Sequence, residues 1–127
     1  MTKETYRSRR PNAVPALVGA GCLVSGIEVL FEVKTAAEGQ WVTPWLAEDR
    51  NRRRAIWLNE RVEPLLWAYD GHRYSPTGLS KRIWDLSGLP ASHQPSPNTG
   101  GPWRWIVPDE NGLSLWEIAI QVQDGKR

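Results

Sequence analysis

The stretch YSPTGLSKRIW, residues 74–84, contains the signals for the start of a helix and decides how the middle of this chain folds. Ser75 suits the N-cap position, because its hydroxyl can accept a backbone N–H of the first turn. Pro76 suits the first helical position, where the N–H that proline lacks would have had no helical partner. Apolar residues then follow at helical spacing, at Leu79, Ile83 and Leu86. The sequence therefore predicts a helix over Pro76–Ser87, ended by Gly88.

The sequence on either side predicts short strands. Ile27–Lys34 alternates apolar and polar residues, as a half-buried strand does. The dipeptide Asp70-Gly71 predicts a hairpin turn. Further strands are predicted at Trp41–Leu46, Ala55–Leu58, Leu65–Tyr69 and Trp103–Val107. The first of these follows a loop at Ala36–Gln40, and its Pro44 restricts it to a sheet edge or a bulge, because proline cannot donate to a neighbouring strand.

Together these elements predict a single small α+β domain. It has a mostly antiparallel sheet of about five strands, one main helix on one face of the sheet, and one or two short helices. A short helix is expected over Val14–Ala20, and residues 113–122 fit either a strand or a helical face. The 127 residues suit one domain. We place this domain at residues 13–123, after a flexible basic N-terminal tail at residues 1–12.

Positive charge is concentrated in two segments. The whole chain carries a net charge of +2. The first ten residues contribute +3, from four basic residues against one acid, so the rest of the chain carries −1. The second basic segment is the run RNRRR at residues 50–54. Such a run forms either a solvated loop or a set of phosphate contacts.

The sequence contains few residues suited to catalysis. Its one cysteine, Cys22, excludes an internal disulfide and most thiolate metal sites. The two histidines, His72 and His93, have no acid at ligand spacing, and no nucleophile elbow or phosphate-binding glycine loop is present. Glu32-Val33-Lys34 matches the acid-x-lysine pattern of metal-dependent nucleases, but only Glu28 lies upstream, and paired surface charges explain the pattern more simply. We expect no catalytic residue, no metal and no cofactor.

The sequence also argues against a membrane protein. No apolar run approaches the length of a membrane span, and the N-terminus lacks the apolar stretch of a secretory signal. We therefore expect no membrane partner, and a cytoplasmic location by default.

Tryptophan and basic side chains are the best candidates for a binding surface. Eight of the twelve aromatic residues are Trp, and these either fill the core or stack on a planar ligand. On the predicted strand, Trp103 and Trp105 share one face and Arg104 takes the other, so inward indoles leave Arg104 exposed. In the opposite case, an indole beside the Ser92–Gly101 loop could stack on an extruded base. The candidate DNA-binding residues are Arg52, Arg53, Arg54, Tyr74, Ser75, Thr77, Lys81, Arg82, Asn98, Trp103 and Arg104.

The order of these signals resembles the RAMA domain family, the restriction enzyme and adenine methylase associated domain. The resemblance covers roughly residues 14–118 and is carried by Leu17–Gly26, Gly71–Leu79 and Gly100–Ile118. The family has a helix ending in glycine, a G-x-x-Y-S-P entry to the main helix, and a glycine loop before an aromatic strand. This chain departs from the pattern in two places. Asn98 is separated from Gly101 where the family usually runs Asn-Gly-Trp, and the segment Trp41–Tyr69 is longer than usual and carries the arginine run.

The resemblance implies a non-catalytic DNA-associated reader in a restriction–modification or defence setting, with methylated adenine as a proposed target. The implied partners are DNA, most simply duplex DNA, and a larger restriction or methylation enzyme. An alternative from another class stays open, namely a protein–protein adaptor whose exposed Trp residues bind a larger enzyme. Retention of DNA at ~0.1 M salt distinguishes the two hypotheses.

Overall fold

The computed structural model describes residues 12–96 and 101–127; most of the predicted basic tail therefore lies outside the described residues. Four helices and six strands make up the regular structure of the described chain. In order they are α1 (Ala13–Ala20), β1 (Glu28–Phe31), α2 (Ala36–Ala47), β2 (Arg54–Trp57), β3 (Leu65–Trp67), β4 (Arg73–Tyr74), α3 (Pro76–Leu86), β5 (Trp105–Val107), β6 (Leu113–Ser114) and α4 (Leu115–Gln123).

The six strands form one sheet in the order β4-β3-β2-β1-β5-β6, with every neighbouring pair antiparallel. The turn between β3 and β4 is the predicted hairpin, and Gly71 adopts the left-handed conformation with φ of 75°. The predicted α+β class is confirmed, with six strands in place of the expected five or so. In β1 and β2 the register pairs Glu28 with Ile56 and Leu30 with Arg54.

Strand alternation gives the sheet a core face and an outer face. The core face is fully buried and consists of Val29, Phe31, Ala55, Trp57, Leu65, Trp67, Trp105 and Val107. The alternate, half-buried residues of the outer face are Glu28, Leu30, Arg54, Ile56, Leu66 and Ile106. Helix α3 lies on the core face, because the Trp105 indole N–H donates to Ser80 Oγ at 3.1 Å and to the Pro76 carbonyl at 3.2 Å.

The predicted central helix is confirmed. The Ser75 hydroxyl accepts the Gly78 N–H at 3.0 Å, so Ser75 is the N-cap, and proline follows it at the first helical position. Leu79 and Ile83 are fully buried, as the spacing predicts. Leu86, the last helical residue, is 38% exposed, so the apolar stripe ends one turn earlier than expected.

Residues 36–47 form one helix, and the predicted loop and edge strand there were wrong. Thr35 and Glu38 form a capping box: the Thr35 hydroxyl accepts the Glu38 N–H at 3.2 Å, and the Glu38 carboxylate accepts the Thr35 N–H at 3.1 Å. Glu38, Val42 and Leu46 recur every four residues and are buried. This helical face outweighs the proline inside the helix, which had suggested an edge strand.

Two further segments differ from simple strands. Trp103 lies in a 3-10 turn at Pro102–Arg104, and β5 begins only at Trp105. The ambiguous segment 113–122 is divided, since its first two residues form β6 and a second capping box, at Ser114, starts α4. None of the described helices is long and apolar enough to cross a membrane.

Candidate nucleic-acid interface

The arginine run folds into a 3-10 turn at Arg50–Arg52, shortly after α2 ends. The aspartate before the turn caps it, because its carboxylate accepts a backbone N–H of the turn at 2.9 Å. Strand β2 then begins at Arg54, so consecutive arginines point in different directions. Arg52 packs against aromatic rings. Arg50, Arg53 and Arg54 line a cleft instead.

The cleft has a volume of about 780 Å³ and lies where β1 ends and β2 begins. It lies between the last turns of α2 and the outer face of the two strands. Besides the three arginines, the cleft is lined by the apolar residues Leu30, Phe31, Val33, Leu46 and Ala47, by Thr43, and by the acids Glu28 and Glu32. We call this the arginine cleft. Its volume is in the range of pockets that hold small organic molecules, about 300–1,000 Å³.

The three arginines of the cleft differ in how many of their guanidinium N–H groups have a hydrogen-bond partner within the protein. Arg54 pairs with Glu28 and donates to the Asn51 side chain at 3.1 Å. Arg53 donates its Nε–H to the Phe31 carbonyl at 2.8 Å, which leaves the other four of its five N–H donors without a partner in the described residues. The Arg50 side chain is exposed and forms no hydrogen bond or ion pair with the described residues. Arg50 and Arg53 are therefore available to an anion.

Lys34 pairs with Glu32, a lining residue of the cleft, and its cation lies against the Trp103 ring. Lys34 Nζ lies 2.7 Å from Glu32 Oε1 and 4.0 Å from the centroid of the Trp103 ring. The cation therefore covers the ring at its centre. Trp103 is nevertheless 41% exposed, so part of the indole faces solvent beside the cleft. The arrangement combines four cations with two carboxylates, a local excess of positive charge.

Arg52 takes part in an aromatic cluster outside the cleft. Its guanidinium lies 4.3 Å from the Trp45 ring and 5.2 Å from the Tyr69 ring, and it donates to the Trp45 carbonyl at 2.8 Å. Burial disfavours its charge, but interactions with Glu48 and Tyr69 outweigh burial and raise the pKa of Arg52. Arg52, which was predicted to contact phosphate, therefore packs against aromatic side chains of the protein instead.

The remaining predicted residues lie at the hairpin and on α3, and of these Tyr74 contacts an aromatic ring. Tyr74 contacts the Trp67 ring and donates to Asp70; burial and this carboxylate raise the pKa of the Tyr74 phenol. Lys81 donates to Asp85 and to Gln94, both at 2.9 Å. Hydrogen bonds from Lys81 and Gln94 lower the pKa of Asp85. Arg82 is exposed.

Ser75 and Thr77 mark the start of α3. The Ser75 oxygen is occupied by the helix cap, whereas Thr77 is exposed. A side chain at position 101 would come within 2.8 Å of Thr77 Oγ1, so glycine is needed there. The loop residue Asn98 lies outside the described residues.

The predicted cations do not form one surface. Arg54 lies on the outer face of the sheet and lines the arginine cleft together with Arg53. Helix α3 packs on the core face, so the solvent side of α3, with Lys81 and Arg82, points away from the sheet in the opposite direction. The structure therefore divides the predicted site between two sides of the domain, with Trp103 beside the cleft.

Arg104 is not exposed, as had been expected, but only 1% accessible. Its guanidinium forms a buried ion pair with Glu38, and the same carboxylate accepts the Trp84 indole N–H at 2.8 Å. The prediction failed because Trp103 and Arg104 are in a 3-10 turn, where strand alternation does not apply. Arg104 thus joins α2, α3 and the segment before β5, and it is removed from any DNA-binding surface.

Sequence reasoning missed Arg50 and Lys34 as members of the site. Both could have been found from spacing: Arg50 and Arg53 are three residues apart and fall on one side of a 3-10 turn. Lys34 continues the outward-facing acid and base residues of β1. No group of three or more His, Cys, Asp or Glu in residues 12–96 and 101–127 could hold a metal ion.

No family model, no curated protein and no solved structure matches this chain.

Proposed function

We propose that this chain is a non-catalytic DNA-binding module that contacts phosphates at the arginine cleft. The observation that carries the proposal is that Arg50 and Arg53 line one cleft and keep guanidinium N–H donors without a protein partner in the described residues. Arginine suits this role because its planar donor fork matches two phosphate oxygens at once.

The surroundings of the two arginines support an anionic ligand. Lys34 and Arg54 add positive charge, and the neighbouring Glu28 and Glu32 are already paired with them. Phosphate contacts supply affinity and position without reading sequence. The exposed part of Trp103 lies next to Lys34 and offers a surface for stacking.

We extend the proposal to the discrimination of methylated adenine in a restriction–modification or defence setting, with a larger restriction or methylation enzyme as a further partner. The support for this extension is the resemblance to the RAMA domain family. Its test compares the affinity of the chain for a plain duplex and for the same duplex methylated on adenine. Equal affinities would leave DNA binding without recognition of this modification.

The proposed site is tested by the salt dependence of DNA binding. Each phosphate contact contributes about 0.9 to the slope of log K against log salt concentration, so Arg50→Ala/Arg53→Ala should weaken binding and lower the slope by about 1.8. The matched control is Arg61→Ala/Lys126→Ala, which also removes two exposed cations but none that lines the cleft. Binding is measured by fluorescence anisotropy at several salt concentrations.

A third variant, Lys81→Ala/Arg82→Ala, tests the opposite side of the sheet. If the cleft is the site, this variant keeps a slope close to that of the control. The proposed site would be wrong if this variant lost the salt dependence of DNA binding while the cleft variant kept it. DNA would then bind at α3.

A second candidate function, the protein–protein adaptor, is favoured by two exposed apolar side chains on neighbouring helices. Trp41 of α2 is 40% exposed and Leu86 of α3 is 38% exposed. Trp is among the residue types enriched at interface hot spots. Co-purification with a protein partner that Trp41→Ala abolishes, together with no DNA retained at ~0.1 M salt, would select this function instead.

A further inference from the structure

Part of the lining of the arginine cleft is apolar, although contact with a phosphate backbone does not require this; we call this part the apolar floor. Leu30 lies in β1 and Val33 is the second residue after it, and Leu46 and Ala47 lie at the end of α2. Duplex DNA presents charged phosphates on its outside, and these gain nothing from aliphatic side chains. The floor therefore fits an apolar part of a ligand that enters the cleft beyond its phosphate.

The charges of the cleft limit what can enter with the phosphate. Glu28 and Glu32 line the same space as Arg50 and Arg53. A chain of several phosphates inside the cleft would meet both carboxylates, whereas one phosphate at the two arginines with a neutral body would not. The carboxylate oxygens also keep acceptor capacity for N–H groups of such a body, since each carboxylate has about four lone-pair sites.

We infer that the arginine cleft holds one unpaired nucleotide of a DNA strand, with its phosphate at Arg50 and Arg53 and its base on the apolar floor. This inference rests on the proposed function and adds the ligand class to it. A base that stays paired cannot reach the floor, because it is held inside the stack of the duplex. A nucleotide that is already unpaired enters without the cost of breaking a base pair.

The experiment compares three duplexes of one sequence, by anisotropy at a fixed salt concentration. The first is fully paired, the second has one unpaired nucleotide at its centre, and the third has an abasic site there, which is equally flexible but lacks a base. The chain is expected to bind the second about tenfold more tightly than the first and the third, because only the second offers a base without an unpairing cost.

A variant that fills the apolar floor tests whether the unpaired nucleotide binds in the cleft. Ala47→Phe adds a ring at an exposed position of α2 that lines the cleft, and Gln40→Phe adds the same ring at an exposed position of α2 that does not. Ala47→Phe should abolish the preference for the unpaired nucleotide over the paired duplex. Gln40→Phe should keep that preference. Thr43→Phe, also exposed and in the cleft, serves as the second filling variant if Ala47→Phe lowers the thermal midpoint.

The outcomes separate this inference from the proposed function. Equal binding of the three duplexes overturns the inference and leaves phosphate contact intact. A preference for the unpaired nucleotide that survives both filling variants also overturns it, since the nucleotide then binds elsewhere. If none of the three duplexes binds, the proposed function itself fails.

Discussion

Two regions of this domain use arginine in opposite ways. At the junction of α2 and α3, Arg104 is buried and paired with Glu38. At the arginine cleft, Arg50 and Arg53 have no carboxylate partner in the described residues and face solvent. In the sequence these arginines look alike, because each is a basic residue in a Trp- or Arg-rich segment. They differ in whether the fold places a buried carboxylate next to the guanidinium. Only the arginines without such a carboxylate can form new ion pairs with a ligand.

The largest effect is expected when the buried pair is broken on one side. Arg104→Met leaves the Glu38 carboxylate buried without its cation, and this should lower the free energy of unfolding by about 3–5 kcal/mol. The double variant Glu38→Gln/Arg104→Met removes both charges and should lose less than the single variant. Urea denaturation followed by Trp fluorescence measures both. A double variant as unstable as the single one would show that the cost is lost packing and not an unpaired charge.

Adjacent arginines in the 50–54 run sharpen the comparison. Arg52→Ala removes a side chain that stacks on Trp45 and donates to its carbonyl, so it should lower the urea midpoint, though by less than Arg104→Met. Arg53→Ala should change the midpoint less, and should weaken DNA binding. Arg52→Ala should therefore lower the urea midpoint more than Arg53→Ala does, whereas Arg53→Ala should lower the salt slope of DNA binding more than Arg52→Ala does. If Arg52→Ala lowers the salt slope as much as Arg53→Ala, the division of the run between packing and binding is wrong.

The elements predicted best from the sequence are those whose signals are local. The N-cap at Ser75 and the turn at Asp70-Gly71 depend on residues within a few positions of each other, and both are confirmed. Helix α2 was missed because Trp41–Leu46 was interpreted as an edge strand and the capping box of Thr35 and Glu38 was overlooked, although that signal is also local. A reading of the sequence that tested each Thr or Ser for a Glu three positions later would have found it.

The site was less predictable than the fold, because its composition depends on contacts distant in sequence. Arg104 and Glu38 are 66 residues apart, and nothing in either segment indicates the pairing. Arg54 is similarly paired with Glu28, 26 residues away. The sequence therefore shows where basic residues are concentrated. It does not show which of the arginines form an ion pair with a carboxylate in the folded protein.

Ser75 provides an intermediate test of the same distinction between structural and ligand-binding roles. Its oxygen is already used by the Gly78 N–H, so Ser75→Ala should lower the free energy of unfolding by about 1 kcal/mol through loss of the cap. Ser75→Asn keeps a capping oxygen and should restore most of that stability. DNA affinity, compared under conditions where all three proteins are folded, should be equal. A weaker affinity of the Asn variant at full stability would assign Ser75 to the ligand.

The smallest effect is expected at Lys81, which pairs with Asp85 one helical turn away on the surface. The side chains are 55% and 48% exposed, so the pair should contribute no more than about 0.3–0.5 kcal/mol. The pKa of Asp85 is lowered in the folded protein, so this stability is fully present above the ordinary Asp pKa and is lost as pH falls through the lowered one. The difference in unfolding free energy between the parent and Lys81→Ala should therefore be constant near neutral pH and shrink in acid.

This small effect distinguishes a surface pair from a phosphate contact. If Lys81 only pairs with Asp85, adding salt reduces the stability difference, and Lys81→Ala leaves the slope of DNA binding unchanged, because the released carboxylate and the lost cation both lie on the side of the sheet away from the cleft. A lower slope in Lys81→Ala would mean that DNA displaces Asp85 from Lys81. In that case α3 would have to be added to the cleft as a second DNA contact.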